Sequence, residues 1–186
     1  ARLLATLRSR CRLHHLAPPP ESYAISWLAR EVTASSEALL SALRLSAGSP
    51  GAALTLLQAE SWAHRTDFCA ALVNTLNAGD WYILLAALNH DQAAARLHWL
   101  ATLFTDALKR PYGIAHLTNP DALDLISSIA ERLSVAQIQA ILGDVCHCRQ
   151  QLLNVTGVNR ELVLTDLILR IEHYLQPGTV LPVPHL

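Results

Sequence analysis

Methionine is absent from all 186 residues and lysine occurs once, at Lys109. A natural gene product begins with methionine, so the expectation is a fragment whose N-terminal part is missing. The seven glycines fall mostly where helices would end, which leaves no phosphate-cradling glycine-rich loop, nucleophile elbow or zinc-protease helix motif. No apolar run reaches the about 18 residues of a membrane span, and no signal-peptide pattern opens the chain; a cytoplasmic location without membrane contact is expected. Charge is sparse too. With 16% charged residues and a formal net charge of −1, no global electrostatic case exists for nucleic-acid or membrane binding. The four cysteines, Cys11, Cys69, Cys146 and Cys148, lack metal-site spacing and are expected as free thiols.

What is present is apolar sequence with helical periodicity. Hydrophobic residues make up 52% of the chain, enough to fold rather than remain disordered. Residues 1–17 lack a partner of their own: Arg2 to Arg8 allows one helical turn or two, and Arg12 to Leu16 a short strand. After Pro18-Pro19-Pro20, helices are predicted over Glu21–Val32, from Ser35 to Leu45, and onward from Ser49-Pro50, where serine caps and proline takes the first helical position. A larger block follows, with helices at Ser61–Leu76, Asp80–Leu88, Asp91–Arg110, Asn119–Leu133, Ser134–Val155 and Asn159–Tyr174. Asp80, Asn119, Ser134 and Asn159 are the expected caps. No convincing alternating run intervenes, so the fold class is all-α. The tail from Thr179 to Leu186 reads as extended, docking its apolar residues on the bundle.

His14 and His15, adjacent on a strand, would point to opposite faces. Cys146-His147-Cys148 cannot converge on one ion, because consecutive helical positions diverge by about 100°. Asp121, Asp124, Glu131 and Asp144 read as surface charges with Arg132 and Arg149 nearby. Trp27, Trp62, Trp81 and Trp99 each stand among apolar helical neighbours and read as core anchors rather than base-stacking platforms. Nothing in the chain supplies a nucleophile and base set. Arg2, Arg8, Arg10 and Arg12 crowd the N-terminus, with Ser9-Arg10-Cys11 among them; taken alone this is a solvated basic stretch or an arginine placed to reach into a neighbour.

Arg2-Leu3-Leu4-Ala5-Thr6-Leu7-Arg8-Ser9-Arg10-Cys11, the proline linker, and Gly48-Ser49-Pro50-Gly51-Ala52-Ala53-Leu54 resemble the AAA+ clamp-loader subunits of DNA polymerase III. Asn159-Arg160-Glu161-Leu162, Asp166-Leu167-Ile168-Leu169-Arg170 and Pro182-Val183-Pro184-His185-Leu186 resemble the delta-prime branch of that family. The likeness spans essentially the whole chain. It implies that residues 1–17 are the end of a missing α/β nucleotide-fold core, 18–60 a three-helix lid, and 61–186 a helical-bundle collar that joins other subunits in a ring. It further implies that Ser9-Arg10-Cys11 is the arginine-finger motif, with Arg10 acting in trans on a neighbour's ATP. Gly51 stands where ATP-hydrolysing relatives carry a sensor arginine, so a non-hydrolysing stator is expected, with no cofactor or metal of its own. The implied partners are the motor gamma/tau and delta subunits through the collar, and the sliding clamp and primed DNA indirectly. The chain would not be an enzyme on its own, but a subunit of a holoenzyme classed as a DNA-directed DNA polymerase (nucleotidyltransferase). The rival reading is a DNA-binding helical module using the N-terminal arginines against phosphates.

Overall fold

The computed structural model describes residues 4–12, 17–58 and 60–182, all helix, turn or coil with no strand among them. The all-α expectation holds. A single turn, α1 (Ala5–Arg8), precedes the proline linker; of the short strand that Arg12 to Leu16 allowed, Arg12 is coil and residues 13–16, with His14 and His15, lie outside the described residues.

Three helices follow: α2 (Glu21–Glu31), α3 (Ser36–Leu45) and α4 (Pro50–Gln58). Local chemistry starts each one. Pro20, at ψ 141°, holds the chain extended just ahead of α2. The Ser35 hydroxyl accepts from Ala38 N at 3.1 Å, and the Ser49 hydroxyl from Ala52 N at 3.4 Å, each meeting an amide the helix cannot satisfy. α3 closes where Gly48 N donates to Leu43 O at 2.9 Å with Gly48 at φ +78°. A β-carbon there would lie 3.1 Å from Pro18 Cβ. Glycine is therefore required twice, for the left-handed turn and for the passing linker. The unit's fully buried apolar side chains are Ala24, Leu28, Leu39, Ala42, Leu43 and Ala53, a core half alanine.

The remaining helices are α5 (Glu60–Ala78), α6 (Tyr82–Leu88), α7 (Ala93–Lys109), α8 (Leu123–Arg132), α9 (Val135–Asn154) and α10 (Arg160–Leu175). α7 packs against α9, and α9 against α10, with α5, α6 and α8 completing the shell. Phe68, Leu97, Leu100, Leu103, Ile126, Ile141, Leu164 and Ile168 fill the centre at 0–1% exposure. Trp99 lies 6.1 Å from Phe68 and Trp81 meets Phe104 edge-on at 6.4 Å, so these two tryptophans are core anchors as expected. Trp27 and Trp62 are half-buried beside the smaller core.

Ser134 and Gln137 form a reciprocal capping box on α9, and Asn159 Oδ1 accepts from Leu162 N at 3.1 Å to start α10. Asp80 Oδ1 accepts from Tyr82 N at 2.9 Å, with the helix beginning two residues later than expected. Asn119 is a correction. It precedes a 3-10 turn, Pro120–Ala122, and makes no capping bond, because its buried side chain is committed elsewhere. Cys146 is exposed and Cys148 buried on α9, the divergence expected of their spacing. In the tail, Leu181 packs on the large core while Val180 is 91% exposed; residues beyond Pro182 lie outside the described residues.

Candidate functional site

Ser9-Arg10-Cys11 closes the single turn of α1. Arg10 N and Cys11 N both donate to Leu7 O, at 3.2 and 3.1 Å, and the Ser9 hydroxyl donates to Thr6 O at 3.1 Å. The Arg10 and Cys11 amides are thus turned back on the helix end, and the Arg10 side chain is exposed. Among the described residues no ion pair involves it. Its planar five-donor fork is left for a group outside this set, and that is the property an anion-gripping arginine needs.

Gly51 lies in the first turn of α4 and lines a shallow hollow of about 340 Å³ with Tyr23, Ala24, Trp27 and Pro50. None of those five residues is cationic. A β-carbon at Gly51 would meet nothing within 4 Å, so the fold would accept a long side chain here. No hydrogen bond among the described residues joins Ser9–Cys11 to Gly51.

Sequence reading missed a buried polar cluster where α2–α4 meet the larger bundle. Asp121, expected as a surface charge, belongs to it: the residue as a whole is exposed, but its side chain keeps only 16% exposure. That carboxylate takes both terminal nitrogens of Arg65, whose side chain is 2% exposed, and also accepts from the Ser41 hydroxyl. Arg65 Nη2 donates to Asn119 Oδ1 at 2.9 Å, and the guanidinium lies 4.8 Å from the centre of the Trp62 ring. Behind it Asp106, fully buried, accepts from Asn119 N at 2.8 Å, Asn119 Nδ2 at 2.9 Å, Thr118 N at 3.0 Å and Lys109 Nζ at 2.8 Å. One signal was in the sequence. Arg65 shares a helix face with Phe68 and Leu72, three and seven positions on, so it occupies a core register.

Other acidic and basic groups divide similarly. Asp124 and Glu131 are exposed as expected. Asp144 is half-buried and accepts the Tyr174 hydroxyl at 2.6 Å; burial, followed by that bond, pushes the Tyr174 phenol up to about 12. Arg132 and Arg149 do not pair with these acids: Arg132 donates to Leu76 O and Asn77 Oδ1 near the end of α5, and Arg149 Nε to Ala94 O at 3.1 Å. Arg44, on α3, donates to both Glu21 oxygens at 2.8 and 2.9 Å, which holds the Glu21 carboxyl below its ordinary value, and also to Leu117 O. His98, facing the Leu45 backbone, has its pKa lowered by burial and then by Arg149. Among the described residues no group of three or more His, Cys, Asp or Glu side chains is placed to hold a metal ion, and no single helix is long and apolar enough to cross a membrane.

Residues 19–58 match the family model described as the DNA polymerase III subunit delta′ AAA+ ATPase lid domain. Residues 59–173 match that of the DNA polymerase III delta subunit, C terminal. The chain is 68% identical over 185 residues to the DNA polymerase III subunit delta′ of Escherichia coli K12, covering 100% of this chain and 55% of the relative. It is 43% identical to the Yersinia pestis subunit delta′ over 100% of this chain and 56% of that one. With the subunit delta′ of Buchnera aphidicola from Acyrthosiphon pisum the identity is 27%, over 89% of this chain and 51% of the relative. The chain thus spans about half the length of the curated relatives it matches. Two family models in tandem, agreeing with the order of the small and large helical units, lead to one conclusion: the chain belongs to the DNA polymerase III delta-prime family.

Proposed function

We propose that this chain is the lid and collar of a non-hydrolysing stator in the polymerase III clamp loader. Residues 61–186 form the collar that joins the motor gamma/tau and delta subunits, 18–60 the lid, and 1–17 the end of the nucleotide-fold core. In this reading Arg10 reaches into an adjacent subunit's ATP site, and the assembled ring places the sliding clamp on primed DNA in the cytoplasm. The observation that carries it is the exposed Arg10, without an ion-pair partner among the described residues, on a backbone tied to Leu7. Gly51 supports the non-hydrolysing part, since its hollow offers no cation to a phosphate.

In phosphoryl transfer the charge that develops on the transferred group is met by a preorganised cation, so a finger acts on rate far more than on ground-state binding. Its loss costs roughly a thousandfold or more at a well-placed site, diluted here by the other sites of the loader. The test uses full-length protein in the assembled complex. Arg10→Ala is expected to leave assembly intact and reduce clamp-dependent ATP hydrolysis; Arg10→Lys is expected to rescue poorly, because an ammonium cannot reproduce the fork. Equal effects of alanine at Arg8, Arg10 and Arg12 would refute the assignment.

A further inference from the structure

We propose that Arg65 and Asp121 are positioning residues that register the lid, α2–α4, on the larger bundle, with Ser41 as the contact from the lid side. Apolar burial is non-directional and does not by itself select one angle between two packed units, and the lid's own core is small and alanine-rich. Hydrogen bonds do select an angle. Across this junction the Ser41 hydroxyl both donates to the Asp121 carboxylate and accepts from Asp121 N at 3.3 Å. The carboxylate is gripped from the bundle side by Arg65 of α5, and Arg65 is braced by Asn119, which Asp106 of α7 pins through two bonds. A second tie lies alongside: Arg44 of α3 links Glu21 of α2 to Leu117 O. Two lid side chains therefore dock on one segment, Leu117 to Asp121, which the bundle holds rigid.

The chemistry of Arg65 favours a registering role over a merely stabilising one. Its side chain is 2% exposed, and Nε is buried with no partner among the described residues. A desolvated charge with one nitrogen unmet is an inefficient source of stability compared with an apolar side chain of similar volume. What it supplies is a fixed geometry, because few arrangements satisfy the remaining donors. The linker packs on the same unit, Pro18 lying against Gly48. The registration does not depend on the stator reading.

The test is pulsed electron spin resonance on the full-length protein in a cysteine-free background, with nitroxides at Glu31→Cys on α2 and Gln150→Cys on α9, both exposed. The parent is expected to give one narrow distance. Ser41→Ala with Asp121→Ala is expected to lose that single distance in favour of a broad distribution, at a temperature where circular dichroism shows the helices intact. Asp121→Asn, which keeps an oxygen toward Ser41 and Arg65, is expected to restore most of the narrow peak. If the double variant fails to fold, Ser41→Ala decides alone, since it leaves the Arg65–Asp121 pair in place. A distribution that stays narrow while only thermal stability falls overturns the proposal. An unchanged distance refutes the registration whatever the ATPase of the assembled loader does, and the Arg10 variants test the stator role separately, so failure of one reading is distinguishable from failure of the other.

Discussion

Asp106→Ala is expected to be among the most damaging single changes in the larger bundle. The carboxylate is fully buried and is the acceptor for four donors. They are not equal. Lys109, 23% exposed at its side chain, and the half-buried Thr118 can turn to water when the carboxylate goes. Asn119 N and Nδ2 cannot, because that residue is 0% exposed. Each stranded buried donor costs about 1–3 kcal/mol, so two of them cost about 4 kcal/mol. Release of Asn119 also loosens its bond to Arg65, which adds to the cost. For a chain of this size each kcal/mol moves the melting temperature by about 2–4 °C, giving a fall of about 8–16 °C. Asp106→Asn keeps one acceptor oxygen but turns an amide group toward donors, and is expected to lose about half as much. Urea denaturation read by circular dichroism measures both, with an unchanged m-value showing that stability rather than compactness has moved. A loss below about 1 kcal/mol for Asp106→Ala would refute the reasoning, since it would mean that water replaces the carboxylate at no great cost.

Two glycines should respond in opposite directions in a melting experiment. Gly48→Ala meets a left-handed φ of +78° and Pro18 and is expected to destabilise by about 1–2 kcal/mol, whereas Gly143→Ala, mid-helix with nothing within 4 Å, is expected to stabilise by about 0.5–1 kcal/mol; a shift of the same sign at both would contradict the geometry. Thiol titration of the native protein near neutral pH should modify exposed Cys11 and Cys146 quickly and Cys148 slowly, since burial first, and the nearby Asp166 and Asp144 next, push the Cys148 thiol up to about 11; rapid reaction at Cys148 would show it is not held in the core. Because the folded pKa values of Cys148 and Tyr174 lie above their ordinary values of 9.0 and 10.0, their contribution to stability is complete below about pH 9 and is lost as pH rises through about 11 and 12. Denaturation curves across the alkaline range should therefore weaken progressively, less so in Cys148→Ala relative to its own value at pH 8.

The helical class and most helix starts were legible from local sequence. Ser35, Ser134 and Asn159 each cap an amide three residues on, and a partner so close does not depend on how the rest of the chain is arranged. The helical periodicity of apolar residues that marked the core anchors is local in the same sense. Ser9-Arg10-Cys11 and Gly51 acquired meaning only by resemblance, and the structure adds that the arginine is exposed and that the glycine has open space around it. Asn119 and Asp121 were misread for an identifiable reason. Asn119 answers to Asp106, 13 positions away, and to Arg65, 54 away; Asp121 answers to Arg65 and Ser41, 56 and 80 away. Nothing within a helical turn of either residue announces those partners. Local spacing determines where a helix can begin and which face it buries, but whether a polar side chain turns inward depends on the charges and donors that distant segments bring to it, and only tertiary packing decides that.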